Sequence, residues 1–147
     1  PASTMPSYRV ERLAGHHFRA TTEEGHAVEM DGAKEQAASP MQLLVTAMGA
    51  CSGIDIVDIL EKGRQTVASF EAGVDATREK RGTYSEYTAL HAHYALTGDL
   101  DAAKVVRAIQ LSLGKYCSVS KLLEKTATIT ASCSVNGEHH AVVLEAA

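Results

Sequence analysis

Residues 39 to 60, SPMQLLVTAMGACSGIDIVDIL, limit the folds open to this chain more than any other stretch. Serine followed by proline is a helix start, with Ser39 at the N-cap and Pro40 at the first helical position, and the helix is expected to run to about Gly63. At 100° per residue Leu44, Ala47, Met48, Cys51, Asp55, Asp58 and Lys62 share one stripe, apolar at its start and charged at its end. Val45, Ala50, Ile54, Ile56, Val57 and Leu60 cover much of the remaining surface. A helix apolar nearly all round has to be buried. It is not expected to span a membrane, because Asp55 and Asp58 are costly in lipid and the uninterrupted apolar stretch is short. Gly49 and Gly53 stand one turn apart, away from Cys51, and each costs the helix roughly 1 kcal/mol relative to alanine. Close approach of a second helix is expected to offset that cost.

The rest of the chain reads as strands and two further helices. YRVERL, HFRATT and HAVEMD, separated by Gly15 and Gly25, predict a β-meander over residues 7–31, and GAKEQAASP is a polar loop. VASFEAGVDATRE alternates, with Ala68, Phe70, Ala72, Val74 and Ala76 on one face. YTALHAHYAL alternates again, with Leu90, Ala92, Tyr94 and Leu96 together, so the two predict a long hairpin across RGTYSE. DLDAAKVVRAIQLSL is an amphipathic helix with Asp99 or Asp101 near its start and Gly114 at its end, and a short helix starts at Cys117 or Ser118. ATITASCSV and HAVVLE form a hairpin across an Asn-Gly turn. The order βββ-α-ββ-αα-ββ gives an α+β fold with sheets flanking central helices, and 147 residues at 45% hydrophobic content suit a single domain.

Charge narrows the partners. Fourteen basic residues against eighteen acidic give −4, and the basic ones form no run, so nucleic acid is not an expected partner and an anionic membrane surface is disfavoured. The N-terminus PASTMPSYRV has no basic segment followed by an apolar one, which suggests a cytoplasmic protein, and the initial PAST reads as a tail. Three widely spaced cysteines make neither a disulfide framework nor a zinc pattern.

Among the cysteines, Cys133 shares a strand face with Ala127, Ile129, Ala131 and Val135 and reads as core. Cys51 reads either as a buried small residue or as a reactive thiol, and spacing leaves both open. Cys117 stands at a helix start with Lys115 and Lys121 nearby, a setting that favours a thiolate. His91 and His93 share one strand face and in principle could chelate a metal, but a solvated face is the stronger expectation, as it is for His16-His17 and His139-His140 near turns. No metal site, cofactor loop or nucleophile elbow is expected.

The helix SPMQLLVTAMGACSGIDIVDIL resembles the proline-led cysteine helix of the OsmC/Ohr family, osmotically inducible protein C and organic hydroperoxide resistance protein. KYCSVSKLLEKTATI resembles that family's second cysteine motif, and the likeness extends over almost the whole chain. The wording GACSGIDIVDIL is most similar to the YhfA-like subgroup. The resemblance implies an intertwined homodimer, with β-sheets from both chains wrapped around central helices, and a thiol-dependent peroxidase. Cys51 would attack an organic hydroperoxide and become a sulfenic acid, Cys117 would resolve it as a Cys51–Cys117 disulfide, and an external lipoyl-type dithiol would reopen the bond. Met41, Gln42, Leu44, Met48 and Ile54 would line the substrate pocket, without any cofactor. Active members carry a glutamate directly after the helix-starting proline, paired with an arginine from the N-terminal strands. Here that position is Met41, followed by Gln42; Arg19 is the nearest candidate for the arginine, with Arg9 and Arg12 as alternatives. A redox-sensing or small-ligand-binding protein with little turnover is the alternative reading.

Overall fold

The computed structural model describes residues 7–145, so the tail expected over residues 1–4 lies outside the described residues. The chain divides into two compact units at Leu44/Val45. In the first, β1 (Arg9–Ala14), β2 (His17–Thr21) and β3 (Ala27–Asp31) form the expected antiparallel meander in the order β1-β2-β3. Gly15 makes the first turn with φ +50°, which a side chain would strain. Asp31 then organises the loop that follows, its carboxylate accepting from the backbone N–H groups of Ala33 (2.8 Å), Glu35 (3.2 Å) and Gln36 (2.9 Å). Those bonds, the one from Gln36 foremost, hold its pKa below the ordinary carboxylate value.

The long helix α1 (Pro40–Lys62) starts as the sequence predicts and is closed by a capping box. The Gln42 N–H donates to Ser39 Oγ (3.2 Å) while the Ser39 N–H donates to Gln42 Oε1 (2.9 Å). By length and apolarity α1 meets the dimensions of a membrane span. Its buried residues instead form a stripe, Met48, Gly49, Ser52, Gly53, Ile56 and Leu60, directed at protein. Burial on every side is not what the single chain shows: Leu44 is 40% and Ile54 69% exposed.

The second unit holds a four-stranded sheet in the order β4-β5-β6-β7, built from β4 (Thr66–Arg81), β5 (Tyr84–Asp99), β6 (Thr128–Val135) and β7 (Glu138–Val142). The β4–β5 and β6–β7 pairs are antiparallel hairpins, the latter turning on Asn136 (φ 50°) and Gly137 (φ 85°). β5 and β6 run parallel, which demands a crossover. Helix α2 (Ala102–Leu111), a widened π turn (Ser112–Tyr116) and helix α3 (Ser118–Leu123) supply it. Asp101 caps α2 by accepting from the Ala103 N–H (2.9 Å). Gly114 does not end the helix as its sequence position suggests; the chain continues through it in the π turn.

Alternation decides the two sheet faces. Leu90, Ala92, Tyr94 and Leu96 of β5, and Ala131, Cys133 and Val135 of β6, are buried on the inner face. The outer face carries a polar ladder where a merely solvated surface was expected. His91 bonds Thr130 Oγ1 through Nδ1 (2.7 Å) and Ser132 Oγ through Nε2 (2.9 Å). His93 bonds the same Ser132 Oγ through Nδ1 (2.7 Å) and Ser134 Oγ through Nε2 (2.9 Å).

The glycines of α1 correct one expectation. They admit a strand, not a second helix: a Cβ on Gly49 would lie 3.6 Å from Ala72 Cβ, and one on Gly53 would lie 2.9 Å from the Phe70 ring. The two positions should therefore respond oppositely to alanine. Gly49→Ala gains helix propensity without overlap and is expected to stabilise by up to about 1 kcal/mol. Gly53→Ala must displace Phe70 and is expected to destabilise by roughly 1–2 kcal/mol despite the same propensity gain. Urea unfolding of the two variants checks this, and equal midpoints would refute the strand contact at Gly53.

Candidate functional site

Cys117 is placed by the π turn. Its N–H donates to Ser112 O (2.8 Å), five residues back, and its backbone then becomes extended (φ −74°, ψ 106°) at the N-cap of α3. The Cys117 Sγ accepts from the Ser120 N–H (3.4 Å), while Ser120 Oγ donates to Cys117 O (3.0 Å). The residue is fully buried.

Cys51, half-buried in the middle of α1, lies near enough to Cys117 to act on the ionisation of its thiol, and both are free thiols. Burial pushes the Cys117 thiol above its ordinary pKa; the Ser120 bonds oppose this, and the neighbouring Cys51 sulfur reinforces it. The sequence favoured a Cys117 thiolate beside Lys115 and Lys121, and the structure corrects that. Lys121 pairs with Glu124 (3.2 Å), Lys115 lies over the Tyr116 ring (5.2 Å), and desolvation outweighs a helix of only six residues. Cys117 is therefore a thiol that keeps its proton beside a second sulfur.

Buried polar groups surround the pair. Ser52 Oγ lies 2.7 Å from Met48 O, to which it donates, and 2.7 Å from Tyr94 Oη, so the tyrosine hydroxyl donates to the serine. Desolvation pushes the Tyr94 pKa up to about 12. Ser112 Oγ contacts Asp55 Oδ2 (3.0 Å) and Ser52 O (3.2 Å). Sequence reasoning missed Ser52, Tyr94, Ser112 and Ser120. The one visible signal was a serine at position 52 within an otherwise apolar helix, since a buried hydroxyl needs a partner.

The other expected residues are distributed more widely. Met48 is buried one turn before Cys51, whereas Leu44 and Ile54 are exposed and Gln42 uses its side chain to cap α1. Met41 is half-buried in the first turn of α1. Arg19 lies on β2 of the N-terminal unit opposite Glu11, its guanidinium 3.9 Å from that carboxylate; Arg12 donates through Nε to Gly15 O (2.8 Å). Cys133 is buried on the inner sheet face, and burial raises its thiol pKa. Among the described residues no group of three His, Cys, Asp or Glu is placed to hold a metal ion. Both imidazoles of the outer ladder use both ring nitrogens for hydroxyl bonds.

A family model described as OsmC-like protein matches residues 32–132. Protein YhfA of Escherichia coli K12 is 41% identical over 129 residues, covering 86% of this chain and 96% of that protein. A crystal structure of a hypothetical protein from Aquifex aeolicus is 26% identical with a TM-score of 0.79, covering 90% of this chain and 97% of that one. At 15% identity the likeness is one of fold alone to a Legionella pneumophila structure described as an organic hydroperoxide resistance protein OsmC, with a TM-score of 0.68 and coverage of 90% and 100%.

The buried acids set a pH dependence. Cys117, Cys133 and Tyr94 hold their protons to higher pH when folded than when unfolded, so above the ordinary thiol pKa, about 8.5, the folded state binds more protons than the unfolded one. Their contribution is fully present below that pH and lost as pH rises through the folded values. Stability should be flat from neutral pH to about 8.5 and fall above it. Replacing Cys133 by alanine should make the fall shallower. Urea midpoints measured between pH 7 and 10.5 test this, and a wild-type midpoint that rose with pH would contradict it.

Proposed function

Because the chain belongs to the OsmC-like protein family, we propose that it is a thiol-dependent peroxidase that reduces organic hydroperoxides to alcohols. The observation that carries this reading is the nearness of two free thiols, Cys51 half-buried and Cys117 buried, the first acting on the ionisation of the second. Ionised Cys51 attacks the terminal oxygen of ROOH; the O–O bond breaks, RO⁻ takes up a proton and leaves as ROH, and Cys51 becomes a sulfenic acid. The Cys117 sulfur then attacks that sulfur. The proton that burial has kept on Cys117 leaves with the hydroxide as water, and a Cys51–Cys117 disulfide forms. A dithiol of lipoyl type reopens it through a mixed disulfide, ending as its own cyclic disulfide and restoring both thiols. Met48, buried one helical turn before Cys51, is an apolar neighbour in sequence that would suit a hydrophobic peroxide.

We further propose that the working unit is a cytoplasmic homodimer. Ile54 and Leu44 are large apolar side chains left open on the same helix that carries Cys51, and a second copy is their expected cover. A redox sensor with the same thiol pair is the second reading. The observation favouring it is Met41, which stands where the family's active members place a glutamate and which cannot orient an arginine by charge.

Two experiments test these readings. Peroxide consumption with dihydrolipoamide should fall on the order of 100-fold or more in Cys51→Ser, and Cys133→Ala should stay close to wild type. Oxidation of Cys51 in single turnover without multiple turnover would select the sensor, and no loss in Cys51→Ser would refute both. Sedimentation at micromolar concentration should show a dimer that Ile54→Lys weakens. A well-folded wild-type monomer there would refute the proposed assembly.

A further inference from the structure

We propose that Ser112 and Asp55 are positioning residues that hold Cys117 against Cys51 so that the two sulfurs can form a disulfide. This rests on the reading above only in taking the Cys51–Cys117 bond as the product; it does not require that peroxide be the oxidant.

Ser112 is fully buried at the first position of the π turn. Its hydrogen bonds reach the elements of both cysteines. Its side chain faces α1, bonding Asp55 Oδ2 (3.0 Å) with Ser52 O at 3.2 Å, and these two anchors are the residue after Cys51 and the residue one turn beyond it. Its carbonyl accepts the Cys117 N–H (2.8 Å). A continuous path of short bonds therefore joins the backbone around Cys51 to the backbone of Cys117. The i to i−5 bond also sets the direction of the thiol, because an ordinary α-helical turn would rotate successive side chains by about 100° and carry position 117 off the α1 side.

The residue types fit this role better than simple packing. Alanine would fill the space at 112, and a buried hydroxyl is unfavourable unless bonded. Asp55 lies half-buried one turn after Cys51, where its negative charge does not favour a thiolate; its hydrogen bond from Ser112 gives it another task. A hydroxyl-to-carboxylate bond is among the stronger protein hydrogen bonds. Intramolecular disulfide formation depends on how often two sulfurs meet in line, so a clamp of this kind acts on effective concentration.

The test is the equilibrium of the Cys51–Cys117 disulfide with dihydrolipoamide and lipoamide, in which two thiols and one disulfide exchange without peroxide. Ser112→Ala and Asp55→Ala should each lower the effective concentration of the pair roughly ten-fold, the scale of one charge-assisted hydrogen bond. The double variant should be little worse than Ser112→Ala, which already removes the bond to Asp55. Asp55→Asn keeps a neutral acceptor for the Ser112 hydroxyl and should fall between wild type and Asp55→Ala, which loss of fold stability alone would not produce. With a hydroperoxide as oxidant, dimedone should trap Cys51 sulfenic acid in Ser112→Ala while wild type proceeds to the disulfide. Equilibrium constants within two-fold of wild type in both alanine variants would overturn the inference, as would a wild type that forms no Cys51–Cys117 disulfide in any redox buffer. A wild type that ignores peroxide but shows the ten-fold shifts would remove the peroxidase reading and leave the clamp standing.

Discussion

The close contact of α1 with the sheet is the constraint from which the site follows. Two glycines and a serine on one helix face let the helix axis approach β4 and β5 closely enough for Phe70 to touch Gly53 and for Tyr94 to donate to Ser52. Cys51 is the neighbour of Ser52, so its height above the sheet is set by the same approach. The crossover that the parallel β5–β6 pair demands includes a π turn that ends at Cys117, and Ser112 at the start of that turn bonds α1 next to Cys51. Helix approach, parallel pairing and thiol proximity are three consequences of one packing arrangement.

Burial differentiates the three cysteines more than their local sequences do. Cys133 is enclosed on the inner sheet face among aliphatic neighbours and has only desolvation acting on it. Cys117 is just as inaccessible, yet it has Ser120 and Cys51 for company, so it is held in a defined direction while retaining its proton. Cys51 alone keeps partial access to solvent. That gradient gives one sulfur that can be reached from outside and one that can be reached only by the first, the division of labour a two-thiol reaction requires.

Much of this was legible beforehand, for identifiable reasons. Ser39-Pro40 named the start of α1 because cap chemistry is local, and strand alternation placed Tyr94 and Cys133 inward because side-chain direction in a strand has period two. The π turn was not legible. Gly114 carried a stop signal, and tertiary bonds from Ser112 to α1 overrode it, a nonlocal effect that no window of sequence contains. The glycine stripe announced a close approach correctly but could not say whether a helix or a strand was approaching. The thiolate expected at Cys117 failed because position at a helix start is readable from sequence while depth of burial is not. Met41 and Arg19 entered through likeness to a family, and their distance from that family's pattern was itself readable in the sequence.

The ladder on the outer sheet face has a property that its individual bonds do not show. A neutral imidazole offers one donor and one acceptor nitrogen, and a serine hydroxyl has a single proton. Ser132 lies between His91 Nε2 and His93 Nδ1, so when its proton points to one ring it must accept from the other. If it donates to His93, both rings carry hydrogen on Nε2; if it donates to His91, both carry it on Nδ1. Whenever Ser132 donates to either ring, the two histidines therefore share one tautomeric state. Thr130, His91, Ser132, His93 and Ser134 form a row with a direction, and reversing any member reverses them all.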